Sequence, residues 1–308
     1  MKRQKRRNKR IACYQPNTNI KAPSNISQIE SISYLHIFNR NAGKSLIKKG
    51  QSDMSMLLNT ITCGDIFNAM PNIADKSIDM ILTDIPYNTT ACDWDKEVIP
   101  LDKLWEGFKR IIKDNGAIVM TASQPFTSRL VMSNLGMFKY EWIWDKQKGS
   151  GSMLAKIMPM KSHENILIFG NKIKYNPIKE LAKKENRRDR IKNCSNPLTN
   201  EIYGKLSGYA GTKEDDLRNP KTIISISSQS KELHQGKRRH PTQKPVALFE
   251  YLIKTYTNEG DTVFDGFAGS GTTGVACQNL NRKFILIEKE DRYCKIARDR
   301  LKQCVLKL

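Results

Sequence analysis

Thr262-Val263-Phe264-Asp265-Gly266-Phe267-Ala268-Gly269-Ser270-Gly271-Thr272-Thr273 reads as a short buried strand that breaks into a glycine-rich loop and then opens a helix over Thr273–Leu280. Glycines let the backbone turn sharply and let a ligand approach where side chains would clash. Read literally, Gly269-x-Gly271-x-x-Gly274 is a dinucleotide fingerprint, a weak signal when it stands alone. The strand that follows, Phe284–Glu288, ends on a carboxylate placed to accept hydrogen bonds from both ribose hydroxyls of an adenosine. A nicotinamide-dependent oxidoreductase would use the same loop and the same acid. Against it, the loop stands near the end of the sequence and leaves little chain for a second nucleotide-binding half.

Outward from that loop, strands and helices keep alternating. Asn59–Cys63 reads as strand, Ile66–Ala74 as helix, Ser77–Thr83 as buried strand, and Leu101–Lys113 as helix closed by Asn115-Gly116. Ala117–Thr121, Tyr140–Trp144 and Asn165–Phe169 are further strands, while Val246–Thr257 and Asp291–Lys302 are helices. Such alternation predicts an α/β fold with a mostly parallel central sheet and helices on both faces. Ligands of such sheets collect at the carboxyl ends of the strands, so adjacent strands ending at Asp265 and Asp84 would share one site. Trp142 and Trp144 alternate along one strand and read as core. His163-Glu164 reads as a structural hydrogen bond at a strand start.

Asp84-Ile85-Pro86-Tyr87 closes the Ser77–Thr83 strand. As a bare four-residue match it is a strand-ending proline turn with an aromatic beside it. Its chemistry is more specific. An exocyclic amine is a poor nucleophile because its lone pair is delocalised into the ring. Two acceptors for its two hydrogens, the Asp84 carboxylate and the Ile85 carbonyl, would localise that pair and aim it at a sulfonium methyl. Pro86 stiffens the turn, and Tyr87 offers a flat face on which an extruded base can stack.

Charge points to the partner. The 308 residues carry a net charge of +21, which calls for a polyanion. Residues 1–53 hold twelve Lys/Arg against two acids, and residues 171–239 hold seventeen against eight, so the remainder is nearly neutral. We read 1–53 as a basic, disordered tail; Met54 and Met56 are alternative starts that would leave it untranslated. Residues 54–170 form the first half of the core, 171–239 a basic insert, and 240–308 the second half. Within the insert Lys183, Lys184, Arg187, Arg188 and Arg190 suit phosphate contacts, as do Lys237, Arg238 and Arg239 next to the second half. Seven scattered cysteines without a Cys-x-x-Cys read as reduced thiols of a cytoplasmic protein, with neither a disulfide framework nor a metal site. No apolar run is long enough to span a membrane.

Taken together, Asp84–Tyr87, the segment His240-Pro241-Thr242-Gln243-Lys244-Pro245, Asp265–Thr273 and Phe284–Leu301 resemble the DNA amino-methyltransferases of the beta class, which act on adenine N6 or cytosine N4. The likeness covers residues 58–170 and 240–303, with the base-holding motif first, a variable basic insert next and the cofactor loop last. It implies a Rossmann-like, S-adenosylmethionine-dependent methyltransferase fold with a target-recognition insert acting on double-stranded DNA. It places the methionine end of the cofactor along Asp265, Gly266, Phe267, Ala268, Gly269, Ser270 and Gly271, with Thr272 and Thr273 closing the loop. Glu288 then holds the ribose, Thr242 and Lys244 approach the carboxylate end, and Asp65 lies by the adenine ring. Asp84 fits the adenine version, since the cytosine version usually has Ser there. Two positions depart from the family: Ile85 and Gly266 stand where Pro is common, which bears on rate more than on reaction type. A homodimer and a partner restriction endonuclease are implied as partners. Methylation of cytosine N4 is the nearest alternative, and a DNA-binding protein with a weakened enzyme core is a more distant one.

Overall fold

The computed structural model describes residues 57–86, 99–181, 199–200, 204–205, 217–228 and 243–305. Its first part runs β1 (Thr60–Cys63), α1 (Ile66–Ala69), β2 (Ile78–Thr83), α2 (Leu101–Ile111), β3 (Ile112–Ala122), α3 (Phe126–Ser133), β4 (Phe138–Ser150) and β5 (Lys161–Phe169). Four short strands follow, β6 (Glu180–Leu181), β7 (Thr199–Asn200), β8 (Gly204–Lys205) and β9 (Leu217–Arg218), paired antiparallel as β6 with β9 and β7 with β8. The last part is β10 (Ile223–Ser225), α4 (Val246–Tyr256), β11 (Thr262–Asp265), α5 (Thr272–Asn279), β12 (Lys283–Glu288) and α6 (Asp291–Val305).

One eight-stranded sheet carries the chain in the order β1-β12-β11-β2-β3-β5-β4-β10, and β5 alone runs against the rest. Its central strands β2, β11 and β12 are buried along nearly their whole length because both faces are covered. Val119 of β3, Ile166 and Ile168 of β5 and Leu286 of β12 point to one face, where Leu248, Leu252 and Tyr256 of α4 and Val275 of α5 meet them. Ile118, Met120, Leu167, Phe169 and Ile285 point to the other, against Ile66 of α1, Leu104 and Phe108 of α2, and Leu130 of α3. Helix α2 shows why: its buried Leu101, Leu104, Trp105, Phe108 and Ile111 recur at the three- and four-residue spacing of a single stripe. Phe108 is fully buried, and truncating it to Ala would cost about 3–5 kcal/mol. Trp142 and Trp144 are core, with the Trp142 indole donating to the Tyr256 hydroxyl at 2.7 Å.

Three expectations change. Asn115-Gly116 does not close α2, because the chain turns straight into β3 at Ile112. Pairing with β2 then skips from Ile112 to Ala117, and residues 113–116 bulge out. A Cβ at Gly116 would lie 2.8 Å from the Asp79 carbonyl oxygen, so this close approach, not a helix stop, calls for glycine. Second, described residues of the basic segment 171–239 are built onto the core at 174–176 and 223–225. Lys174 pairs with Asp261 at 2.5 Å, Asn176 donates to the carbonyls of Lys254 and Thr257, and β10 adds an edge strand to β4 with Ile224 buried. Third, the thiols are not all reduced, for Cys63 and Cys294 form a disulfide. Spacing along the chain hid it: β1 ends beside Glu288 of β12, and the first turns of α6 fold back over that end. The tail 1–53 lies outside the described residues. Among those described, no helix is long and apolar enough to cross a membrane.

Candidate active site

Strands β11 and β2 are neighbours, with Val263 opposite Met80 and Phe264 opposite Ile81. Parallel neighbours end at the same sheet edge, so the loops beginning at Asp265 and Asp84 leave side by side. A direct bond ties them: the Thr83 hydroxyl donates to Asp265 Oδ1 at 2.8 Å.

The glycine loop is braced from within. Asp265 is fully buried, and its carboxylate accepts from Thr83, from the Phe267 amide at 3.0 Å and from the Thr273 hydroxyl. Burial pushes its pKa up to about 6; the three donors pull the other way, and nearby Asp84 adds to the rise. The Asp265 carboxylate therefore organises the loop. Glu288, also buried, accepts from the Gly269 amide at 2.7 Å through Oε2 and from the Glu290 amide at 2.8 Å through Oε1. Its pKa too is raised by burial. Gly269 and Gly271 both have positive φ, 51° and 78°, which an L side chain rarely adopts. At Gly271 a Cβ would also meet that of Ala297 at 2.9 Å. Gly274 sits in the first turns of α5 against Leu301 and Leu286, so helix and sheet can close on each other. A residue that sequence reading missed completes the brace: buried Arg300 of α6 donates to the Ser270 carbonyl and to the Thr272 hydroxyl at 3.0 Å. Ala268 packs into the core, and its amide donates to the Ile287 carbonyl.

The two departures from family pattern acquire physical explanations. A Cβ on residue 266 would stand 2.2 Å from Ile66 Cδ1, so Ile66 fills the space that a larger residue would take. Ile85 is buried with Ile66, Ile81, Phe264 and Ile287 on one face of the sheet. That anchoring replaces the stiffness a proline would lend the turn.

At the Asp84 turn, long-range partners hold the carboxylate. Oδ1 accepts from the Thr121 hydroxyl of β3, and Oδ2 from Lys244 Nζ at 2.6 Å. Lys244, 7% exposed, also stands 3.4 Å from Glu164 Oε2, and Lys146 Nζ is 3.4 Å from Glu164 Oε1. Glu164 thus belongs to a charge cluster at this edge, in which the two lysines are buried and the two acids half-buried, more than the local strand-start bond expected of it. Asp65 caps α1, accepting from the Phe67 amide at 2.8 Å, directly after Gly64 whose amide reaches the Glu288 carbonyl. Tyr87, Thr242, Lys183, Lys184, Arg187, Arg188, Arg190, Lys237, Arg238 and Arg239 lie outside the described residues.

Sequence reading also passed over the connection between β4 and β5. Because β4 runs with β2 and β11, this connection projects from the same edge as Asp84. The connection holds Lys156 and no acid, and Lys148 and Lys161 flank it on the two strands. Met153 is 96% exposed and Ile157 76%, with Leu154, Met158 and Met160 also uncovered.

A family profile described as DNA methylase matches residues 78–299. The type II methyltransferase M2.DpnII of Streptococcus pneumoniae is 49% identical over 261 residues, covering 77% of this chain and 87% of that protein. The DNA adenine methyltransferase YhdJ of Escherichia coli (strain K12) is 30% identical over 262 residues, 79% of this chain and 82% of that one. Among solved structures, the M1.HpyAVI–SAM complex superposes with a TM-score of 0.52 and 26% identity over 79% of this chain and 98% of that chain.

Proposed function

The chain belongs to the DNA methylase family, and on that premise we propose that it transfers a methyl group from S-adenosylmethionine to the N6 amine of an adenine extruded from double-stranded DNA. The observation that carries this reading is the Thr83–Asp265 bond, which joins the base-holding turn to the glycine loop at one sheet edge.

The residues present fit S-adenosylmethionine. Backbone with positive φ at Gly269 and Gly271 leaves room for close approach, and a buried carboxylate, Glu288, ends the next strand. When bound, the cofactor supplies an electrophilic methyl on a sulfonium sulfur. In this reading Asp265–Gly271 cradles its methionine end, Glu288 meets the ribose, and Asp65 borders the adenine ring. Asp84 accepts one hydrogen of the substrate amine and the Ile85 carbonyl the other, which localises the nitrogen lone pair. Tyr87 stacks on the extruded base. Asp84, in place of Ser, is what favours adenine over cytosine.

Duplex DNA meets the edge that carries Asp84. Exposed Met153 and Ile157 among lysines suit a contact in which apolar tips press toward bases while cations meet phosphates. Segment 171–239 is the target-recognition region in this reading, and its Lys183–Arg190 cluster meets phosphates, which positions the duplex without reading its sequence. A second copy of the chain and an endonuclease for the same site are the protein partners that accord with this role. Nucleoside digests of DNA from a host expressing the gene test the reading directly. N6-methyladenine is the expected product; N4-methylcytosine would select the other amine, and no added methylated base at all would overturn the assignment.

A further inference from the structure

Resting on that reading, we infer that Lys244 is a movable latch on Asp84, and that Glu164 is the positioning residue that draws it away when the base enters. Both Asp84 oxygens are engaged, one by Thr121 and one by Lys244 Nζ at 2.6 Å. Each oxygen keeps a second lone pair, but a substrate amine drawn to Oδ2 competes there with the closely held ammonium of Lys244. A carboxylate already held by a buried ammonium is also a weaker acceptor, because the charge-assisted bond satisfies the same lone pairs.

The alternative seat for the ammonium is already built. Glu164 Oε2 is buried and makes no hydrogen bond, while Lys244 Nζ stands 3.4 Å from it, within ion-pair reach. On its other side Lys146 approaches Glu164 Oε1 at 3.4 Å and Ser150 Oγ at 3.4 Å, which keeps the glutamate in place. Lys146, Glu164, Lys244 and Asp84 alternate in sign. Sliding Lys244 from Asp84 toward Glu164 leaves the cluster's charge unchanged and never strands a buried ammonium without an anion, the outcome that would make such a motion costly. The neutral amine of the base then takes the vacated position on Asp84.

Double-mutant cycles test this in the full-length protein. At saturating S-adenosylmethionine and duplex DNA, Glu164→Gln is expected to lower kcat by about 100-fold, the scale of a misplaced reacting group. Glu164→Asp, which keeps the charge, recovers part of the rate. The pair Glu164→Gln with Lys244→Met should be no slower than Lys244→Met alone, since without the latch Glu164 has nothing to remove; additive losses would overturn the inference. The second readout needs no turnover. In melts of the cofactor-free protein, Asp84→Asn combined with Lys244→Met should be no less stable than the worse single variant, whereas strictly additive destabilisation would mean that no latch forms. A wild-type protein that methylates no DNA sinks the proposed function and leaves the melts to decide the latch.

Discussion

The two loops that meet at the sheet edge are built in opposite ways. The glycine loop is tied largely to its own neighbourhood: Asp265 to Phe267 and Thr273, Gly269 to Glu288, Ser270 and Thr272 to Arg300. Its anions are buried and satisfied by protein donors, so its shape is set before any ligand arrives. The Asp84 turn is held by Thr121 and Lys244, residues 37 and 160 positions away, through bonds that occupy its reactive carboxylate. A preorganised cradle on one side and a masked acceptor on the other suit a donor bound in one fixed pose and a base that must be drawn in. Substitutions should therefore damage the two loops differently.

The sharpest contrast is expected at Asp84. Asp84→Asn should lower the rate of methyl transfer by about 100- to 1000-fold, the scale on which a single preorganised polar group acts in a transition state. Binding of S-adenosylmethionine, measured by calorimetry, should hardly change. Gly271→Ala should do the reverse, because its φ of 78° and the Ala297 contact penalise a side chain. The left-handed conformation alone costs about 1–2 kcal/mol, seen as a lower melting temperature and weaker cofactor binding with DNA affinity kept. If each variant damages both properties equally, the division between the loops is wrong. Replacing Met153 and Ile157 together by Ser should weaken duplex binding about fivefold to tenfold in a fluorescence titration, the loss expected for one or two apolar contacts. Cofactor affinity should be untouched.

Asp265 sharpens the comparison through pH. Its folded pKa is raised from 3.8 to about 6, so the folded protein holds a proton that the unfolded chain releases. The stability this contributes is fully present below 3.8 and is lost as pH rises through about 6. Other carboxylates move oppositely: Asp114, Asp145 and Asp291 are lowered by their hydrogen bonds, to Lys76, to the Gln147 amide and to Lys295, and lose stability as pH falls. The difference between wild type and Asp265→Asn isolates the effect. Relative to the variant, wild type should lose melting temperature from pH 4 to pH 6; a flat difference would mean that the buried carboxylate is already ionised throughout.

Much of this is legible in the amino-acid sequence alone. Thr262–Asp265 is a strand with the bounds that its apolar run predicts, and Asp84 and Asp265 end adjacent strands as topology requires. Apolar periodicity and glycine placement are local, and they survive folding because both faces of this sheet are covered. Residues that act across the sheet escaped notice. Glu164 looked like a local strand-start acid until β4 brought Lys146 beside it and the segment before α4 brought Lys244. Arg300 falls within the helix predicted over Asp291–Lys302 and draws no reading of its own, yet it is buried beneath Ser270. Cys63 and Cys294 are 231 positions apart, and only the β1–β12 pairing shows them to be neighbours. Side chains whose partners come from distant elements carry no periodic signature.

A crystal structure of the chain with S-adenosylmethionine bound bears most directly on the central claim. The cofactor should lie along Asp265–Gly271, its methyl facing the space beside Asp84, with room for an amino nitrogen about 3–3.5 Å from that carbon. A methyl group turned away from Asp84, or a cofactor seated elsewhere than the glycine loop, would contradict it.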